Sequence, residues 1–157
     1  MNRKDASCKN SGDTYKTGSG SCPVLKVLKE RRDFVRLARR GRKWATGGLV
    51  LQVAKTPPAL ASDDVIRFGL TASRKVGNAV RRNRARRRLR ALACEFLPKE
   101  ATGGYDFVLI ARHTTPDRAF DALIADLKAA LTRLKVTRPS GEGDGYGPES
   151  GDRETER

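Results

Sequence analysis

Between Ser73 and Arg90 the chain reads SRKVGNAVRRNRARRRLR, nine basic side chains in eighteen residues without an acidic one. A segment this charged can join a core along one narrow stripe only, and that restricts what the rest of the chain can build around it. At about 100° per residue, a helix beginning near Asn78 aligns Ala85, Leu89, Leu92 and Phe96 as that stripe. Arg82, Arg86 and Arg90 then stack along one flank, Arg81, Arg84 and Arg88 along the other, and Arg87 points away from the core. Like charges at helical spacing repel by roughly 0.2–0.5 kcal/mol per pair. Cations in the first turn also oppose the helix dipole. A polyanion relieves both conflicts, because phosphates neutralise the arginine rows and a helix N-terminus itself accepts a phosphate. A merely solvated face would intersperse acidic partners; the seven arginines from Arg81 to Arg90 have none.

The chain has 157 residues, enough for one domain with a real core. Its net charge is +15, and since six acidic and three basic residues follow position 137, the preceding part alone carries +18. Such a domain expects nucleic acid or an anionic membrane surface. No apolar run reaches the roughly 20 residues of a spanning helix, and the apolar stripe of the arginine helix is too slim for an interfacial one. Nucleic acid is the expected partner, with no membrane and no protein partner. Cys8, Cys22 and Cys94 are odd in number and unmatched in spacing, which argues against a disulfide framework or a zinc site. With no secretory segment at the N-terminus, a reduced cytoplasmic location is expected.

Residues 1–23, rich in Ser, Gly, Lys, Asn and Thr, read as a disordered polar arm, and 138–157 as a disordered acidic, Gly-rich tail. The domain between them, 24–137, opens with a helix over Glu30 to Arg40, where Phe34, Leu37 and Ala38 share a face and Gly41 stops it. Leu49 to Lys55 and Val65 to Ser73 read as strands, and the loop TPPALASDD predicts an antiparallel hairpin between them. Trp44 marks either a short extra strand or a cap on the sheet. The arginine helix is expected to stop before Pro98. Tyr105 to Ala111 (YDFVLIA) is the most apolar run and the expected central strand. Thr115 and Pro116 read as the cap and first-turn proline of a last helix, on which Phe120, Leu123, Ile124, Leu127, Leu131 and Leu134 repeat at helical spacing. The order α-β-β-α-β-α, with the optional strand near Trp44, gives a small α/β (α+β) domain with a mixed sheet. Its single parallel pair is expected through the arginine helix.

Protein-borne catalysis finds little material. Metal-dependent hydrolysis needs converging carboxylates, yet Glu30, Asp33, Asp63, Asp64, Glu95, Glu100, Asp106, Asp117, Asp121 and Asp126 lie on separate elements. His113 is a lone histidine after a strand, without an evident partner for acid–base work. Asn83 is the informative residue of the arginine helix: a mediocre helix former, it can read a base edge or a 2′-hydroxyl where a bare charge cannot.

Gly77-Asn78-Ala79-Val80, followed by Arg82-Asn83-Arg84, Arg86-Arg87 and Arg90, resembles the signature helix of the bacterial ribonuclease P protein subunit. Asp33-Phe34 in the first helix, Ser73-Arg74-Lys75 and Ile110-Ala111-Arg112 agree, and the resemblance covers about residues 24–135. It implies a two-layer α/β sandwich, shared with the second domain of a small-subunit ribosomal protein, whose βαβ crossover is left-handed against the usual rule. It also implies a division of labour. The RNA subunit carries the Mg2+-dependent hydrolysis that removes the 5′ leader of precursor tRNA and binds most of the Mg2+. The protein contacts that RNA and the single-stranded leader, an accessory subunit of an endoribonuclease with no catalytic and no metal-binding residue of its own. The RNA-contacting candidates are Arg74, Lys75, Asn78, Arg82, Asn83, Arg84, Arg86, Arg87 and Arg90. The leader candidates are Phe34, Leu37, Ala38 and Gln52, in a cleft between the first helix and the sheet; Ala38 and Gln52 stand where some relatives carry aromatics. The rival readings are a general or ribosomal RNA-binding protein, a DNA-binding basic helix and a protein-only nuclease.

Overall fold

The computed structural model describes residues 9–11, 14–16 and 23–138. In chain order these form β1 (Lys9–Ser11), β2 (Thr14–Lys16), β3 (Val24–Val27), α1 (Arg31–Arg40), β4 (Arg42–Ala45), β5 (Leu49–Lys55), β6 (Val65–Thr71), a single 3-10 turn (Arg74–Val76), α2 (Ala79–Glu100), β7 (Tyr105–Ala111) and α3 (Phe120–Arg133). One mixed sheet has the order β1-β2-β3-β6-β7-β5-β4. β1 and β2 fall within the segment expected to be a polar arm; the remainder of that arm and the acidic tail from 139 onward lie outside the described residues, as do Cys8 and Cys22.

The apolar β7 does take the interior of the sheet, and that overturns the expected hairpin. β7 lies between β5, to which it is antiparallel, and β6, to which it is parallel. The loop after β5 therefore has to cross two strand spacings, about 10 Å, which its nine residues, Thr56 to Asp64, span easily. A second parallel pair, β3 with β6, also went unforeseen, because β3 is only four residues long. The short strand at Trp44 is present as β4, paired antiparallel to β5 at the sheet edge.

Alternation along the strands separates two apolar clusters. Leu49, Leu51, Val53, Ile66, Phe68, Phe107 and Leu109 point to the face covered by α2 and α3, where Ala85, Leu89, Leu92, Leu123, Leu127 and Leu131 meet them. Among the described elements the other face carries α1 alone, whose Leu37 packs on Leu28 and Val108. Of the expected α2 stripe, Ala85, Leu89 and Leu92 are fully buried and Phe96 is half-buried, its ring within cation–π range of Lys99 and Lys128 at 5.9 and 5.7 Å.

Two helix boundaries differ from expectation. α2 continues through Pro98 to Glu100: the proline sits in the last turn, where its missing N–H forfeits a single bond, and its ring is buried. α3 starts at Phe120, with Ala119 before it and no side-chain cap. Thr115 instead fastens the β7–α3 loop to the β4–β5 turn. Its buried hydroxyl donates to the Gly48 carbonyl at 2.6 Å and accepts the Arg112 N–H at 2.7 Å.

Candidate nucleic-acid interface

The approach to α2 is set by a glycine and an asparagine. Gly77 has φ +139°, a backbone conformation that side-chain-bearing residues rarely adopt. Asn78 then caps the helix, its Oδ1 accepting the Arg81 N–H at 3.0 Å. Asn78 was expected among the RNA-contacting residues, and its side-chain oxygen is engaged in this cap.

The seven arginines of α2 divide into two populations. Arg81 and Arg88 are held by the protein itself. Arg81 pairs with Asp117 at 2.6 Å and also donates to the carbonyls of Val76 and His113 at 3.4 and 3.3 Å. Arg88 reaches the carbonyls of Thr115 and Pro116, each at 2.7 Å, and that of Arg118. Neither belonged to the RNA-contacting candidates, and both act as struts between α2 and the 112–118 loop. Burial, and next the positive charge of Arg84, push the Arg88 pKa down, with Asp117 opposing them. The Arg81 hydrogen bond holds the Asp117 carboxyl below the ordinary carboxylate range; desolvation opposes it, and the charges of Arg81, Arg84 and Arg88 add to it.

The second population faces outward. Arg84, Arg86, Arg87 and Arg90 are exposed, as are Asn83 beside them and Arg74 and Lys75 on the 3-10 turn before the helix. Arg82 is half-buried, and its Nε has no hydrogen-bond partner. Among the described residues, the ion pairs within this stretch are confined to Arg81 with Asp117. Eight of the nine RNA candidates, Asn78 among them, are thus exposed on α2 or just before it, and Arg82 is half-buried.

The α1 side of the sheet has a different chemistry. Phe34 is half-buried, and its ring lies so close to Gly69 of β6 that a Cβ there would fall 2.6 Å from it. Ala38 is exposed and Gln52 half-buried on the same side, whereas Leu37 is fully buried and therefore supports the cleft from beneath without lining it.

Under α1 lies a charge network that sequence reading missed. Arg67 of β6 pairs with Asp33 at 2.5 Å and lies 3.5 Å from Asp106 of β7. Arg36 pairs with Asp106, lies 3.4 Å from Asp33 and donates to the Lys55 carbonyl at 2.8 Å. Thr56 donates to the other Asp106 oxygen at 2.8 Å, and Asp106 is 0% exposed. Asp106 stands in the alternating pattern of YDFVLIA where an apolar residue is expected, which was the available signal. Two guanidinium groups fill the space between the two carboxylates. Among the described residues no group of three or more His, Cys, Asp or Glu side chains could hold a metal ion. His113 is exposed at the loop tip.

Residues 23–135 match the family model described as Ribonuclease P. The ribonuclease P protein component of Paramagnetospirillum magneticum is 47% identical over 110 residues, covering 70% of this chain and 83% of that protein. That of Ruegeria pomeroyi is 45% identical over 116 residues, covering 73% and 90%. Among solved structures, the RNase P protein of Staphylococcus aureus aligns with a TM-score of 0.59 at 25% identity over 71% of this chain and 97% of that one. The Thermotoga maritima RNase P protein gives 0.55, also at 25% identity, over 70% and 96%. A basic α2 on a mixed sheet, with residues 23–135 matched by the family model, places the chain in the ribonuclease P protein-component family.

Proposed function

We propose that the open face formed by Arg74, Lys75, Arg82, Asn83, Arg84, Arg86, Arg87 and Arg90 is the seat of the catalytic RNA, and that the groove beside α1 takes the single-stranded 5′ leader of precursor tRNA. As a member of its family, the chain is the accessory protein subunit of the endoribonuclease ribonuclease P, working with the RNA subunit in tRNA 5′ processing. The observation that supports the placing of the RNA is the division of the α2 arginines. Two are anchored on loop carbonyls, while four point into solvent with no carboxylate within reach among the described residues. Among the described residues nothing relieves the mutual repulsion along that row, so a phosphate backbone gains both attraction and release of strain.

The leader reading rests on Phe34, a half-buried aromatic packed on Gly69 of the sheet face beside α1, where an unpaired base can stack. We assign Mg2+ mainly to the RNA subunit; among the described residues, no group of three or more His, Cys, Asp or Glu side chains could hold it. No described helix is long and apolar enough to cross a membrane, and we place the protein in the cytoplasm with its precursor tRNA substrate.

The test is reconstitution with the cognate catalytic RNA at low magnesium. Arg84→Ala with Arg86→Ala should weaken RNA association and flatten its salt dependence by about one unit for each phosphate no longer neutralised, with helix content unchanged by circular dichroism. Phe34→Ala should weaken leader-bearing precursor more than mature tRNA. Unchanged salt dependence would remove the RNA seat from α2; equal effects on both tRNAs would remove the leader from the cleft.

A further inference from the structure

Cross-strand partners share a face of a sheet, and the register here draws a continuous track. Gly69 of β6 pairs with Val108 of β7, Val108 with Gln52 of β5, and Gln52 with Lys43 of β4. Phe34 rests on Gly69 at one end of this row and Leu37 covers Val108 in the middle. The next row, Thr71, Ile110, Val50 and Ala45, lies on the same face and carries no charge. Its first three members are half-buried and Ala45 is exposed. Arg42 and Trp44 of β4 point to the opposite face, where the Trp44 ring meets Arg133 at 5.3 Å. Lys43 is therefore the cation on the cleft side of this edge strand.

The wall of the cleft repeats the arrangement. Arg31, Phe34 and Ala38 are spaced i, i+3, i+7 and form one flank of α1. Arg31 is exposed at the start of that helix, one turn before Phe34. The cleft thus has an uncharged middle of Phe34, Ala38, Gln52, Val50 and Ile110, and a cation at each mouth, Arg31 and Lys43. From β6 to β4 it crosses three strand spacings, roughly 14 Å. Neither cation has an ion-pair partner among the described residues.

We propose that Arg31 and Lys43 are phosphate anchors at the two ends of the leader cleft, so that the leader is held by its backbone at both mouths and by stacking only at Phe34. The assignment rests on the leader reading above. It accounts for a cleft whose Ala38 and Gln52 offer no aromatic surface: holding power moves from base stacking to charge, and the middle stays tolerant of base identity.

The experiment is precursor binding by the reconstituted holoenzyme, with the full-length chain carrying Lys43→Gln or Arg31→Gln, against precursor tRNA with a leader long enough to cross the cleft and against mature tRNA. Each substitution should weaken long-leader precursor about threefold to fivefold, the size of one solvent-exposed ion pair. Each should make the salt dependence of that binding shallower by about 0.7, and leave mature tRNA and the catalytic RNA alone unaffected. Lys43→Arg should retain full binding. Equal loss on mature tRNA, no loss at all, or loss at one position only overturns the two-ended arrangement. Phe34→Ala run in parallel separates the failures: if it discriminates leader-bearing from mature tRNA while the anchors do not, the anchors fall and the leader reading stands. If Phe34→Ala and both anchor variants fail to discriminate, the leader reading falls as well.

Discussion

Neighbouring arginines on α2 do opposite jobs, and side-chain geometry separates them. Arg88 satisfies three backbone carbonyls of the loop before α3, and hydrogen bonds to a charged donor contribute about 1.5–3 kcal/mol each at most. Arg88→Ala should therefore cost about 2 kcal/mol in urea unfolding, whereas Arg86→Ala, two residues away and exposed, should stay within about 0.5 kcal/mol of the parent. Equal costs would show that Arg88 is not a strut. Asp117 supplies a pH test. Its carboxyl titrates lower in the folded chain than in the unfolded one, because Arg81 hydrogen-bonds the charged form. The stability it contributes is complete above the unfolded value of about 3.9 and is lost as pH falls through the folded value. Thermal unfolding of Asp117→Asn should lie below the parent at neutral pH and converge with it on the acid side of that window; a constant offset down to the lowest pH would assign the effect to something other than this titration.

At the scale of elements, α1 is joined to the sheet by charge as much as by apolar contact. Leu37 is its one fully buried apolar side chain, while Asp33 and Arg36 reach Arg67 and Asp106. Removing one member of a buried ionic set leaves the others uncompensated, at about 3–5 kcal/mol. Asp106→Asn should cost an amount of that order in urea unfolding and should loosen α1, seen as faster amide exchange in Arg31–Arg40 than in α2. A cost under about 1 kcal/mol would mean that water replaces the missing charge. The same network fixes the rotation of α1 about its own axis, and with it the placing of Phe34 over Gly69, since Asp33 and Phe34 are adjacent in sequence.

For the molecule as a whole, the sheet separates two cationic surfaces, the α2 row on one side and the flank of α1 on the other. A chain of net charge +15 repels itself when free. Cognate catalytic RNA at about a hundred times its dissociation constant should stabilise the protein by about 2.7 kcal/mol, read as a raised Tm, and the variant with Arg84→Ala and Arg86→Ala should lose most of that gain at the same RNA concentration. An unchanged Tm with RNA present would contradict selective binding to the folded state.

The elements and the chemistry class were legible locally. Period and composition located α1, α2, β5, β6, β7 and α3, with Gly41 ending α1 as expected and Pro98 not ending α2, and the excess of arginine over acidic partners announced nucleic acid. Those signals live within one segment, where spacing and side-chain type are sufficient. Partnership between segments is another matter. That β7 slips between β5 and β6, that β3 adds a second parallel pair, and that Asp33 and Asp106 meet across 73 residues depend on which surfaces the whole chain can bury together. The same holds for the arginines: composition counts seven equal arginines in α2, and only the folded loop beside them, offering its carbonyls to Arg81 and Arg88, separates those two from Arg84, Arg86, Arg87 and Arg90, which face solvent.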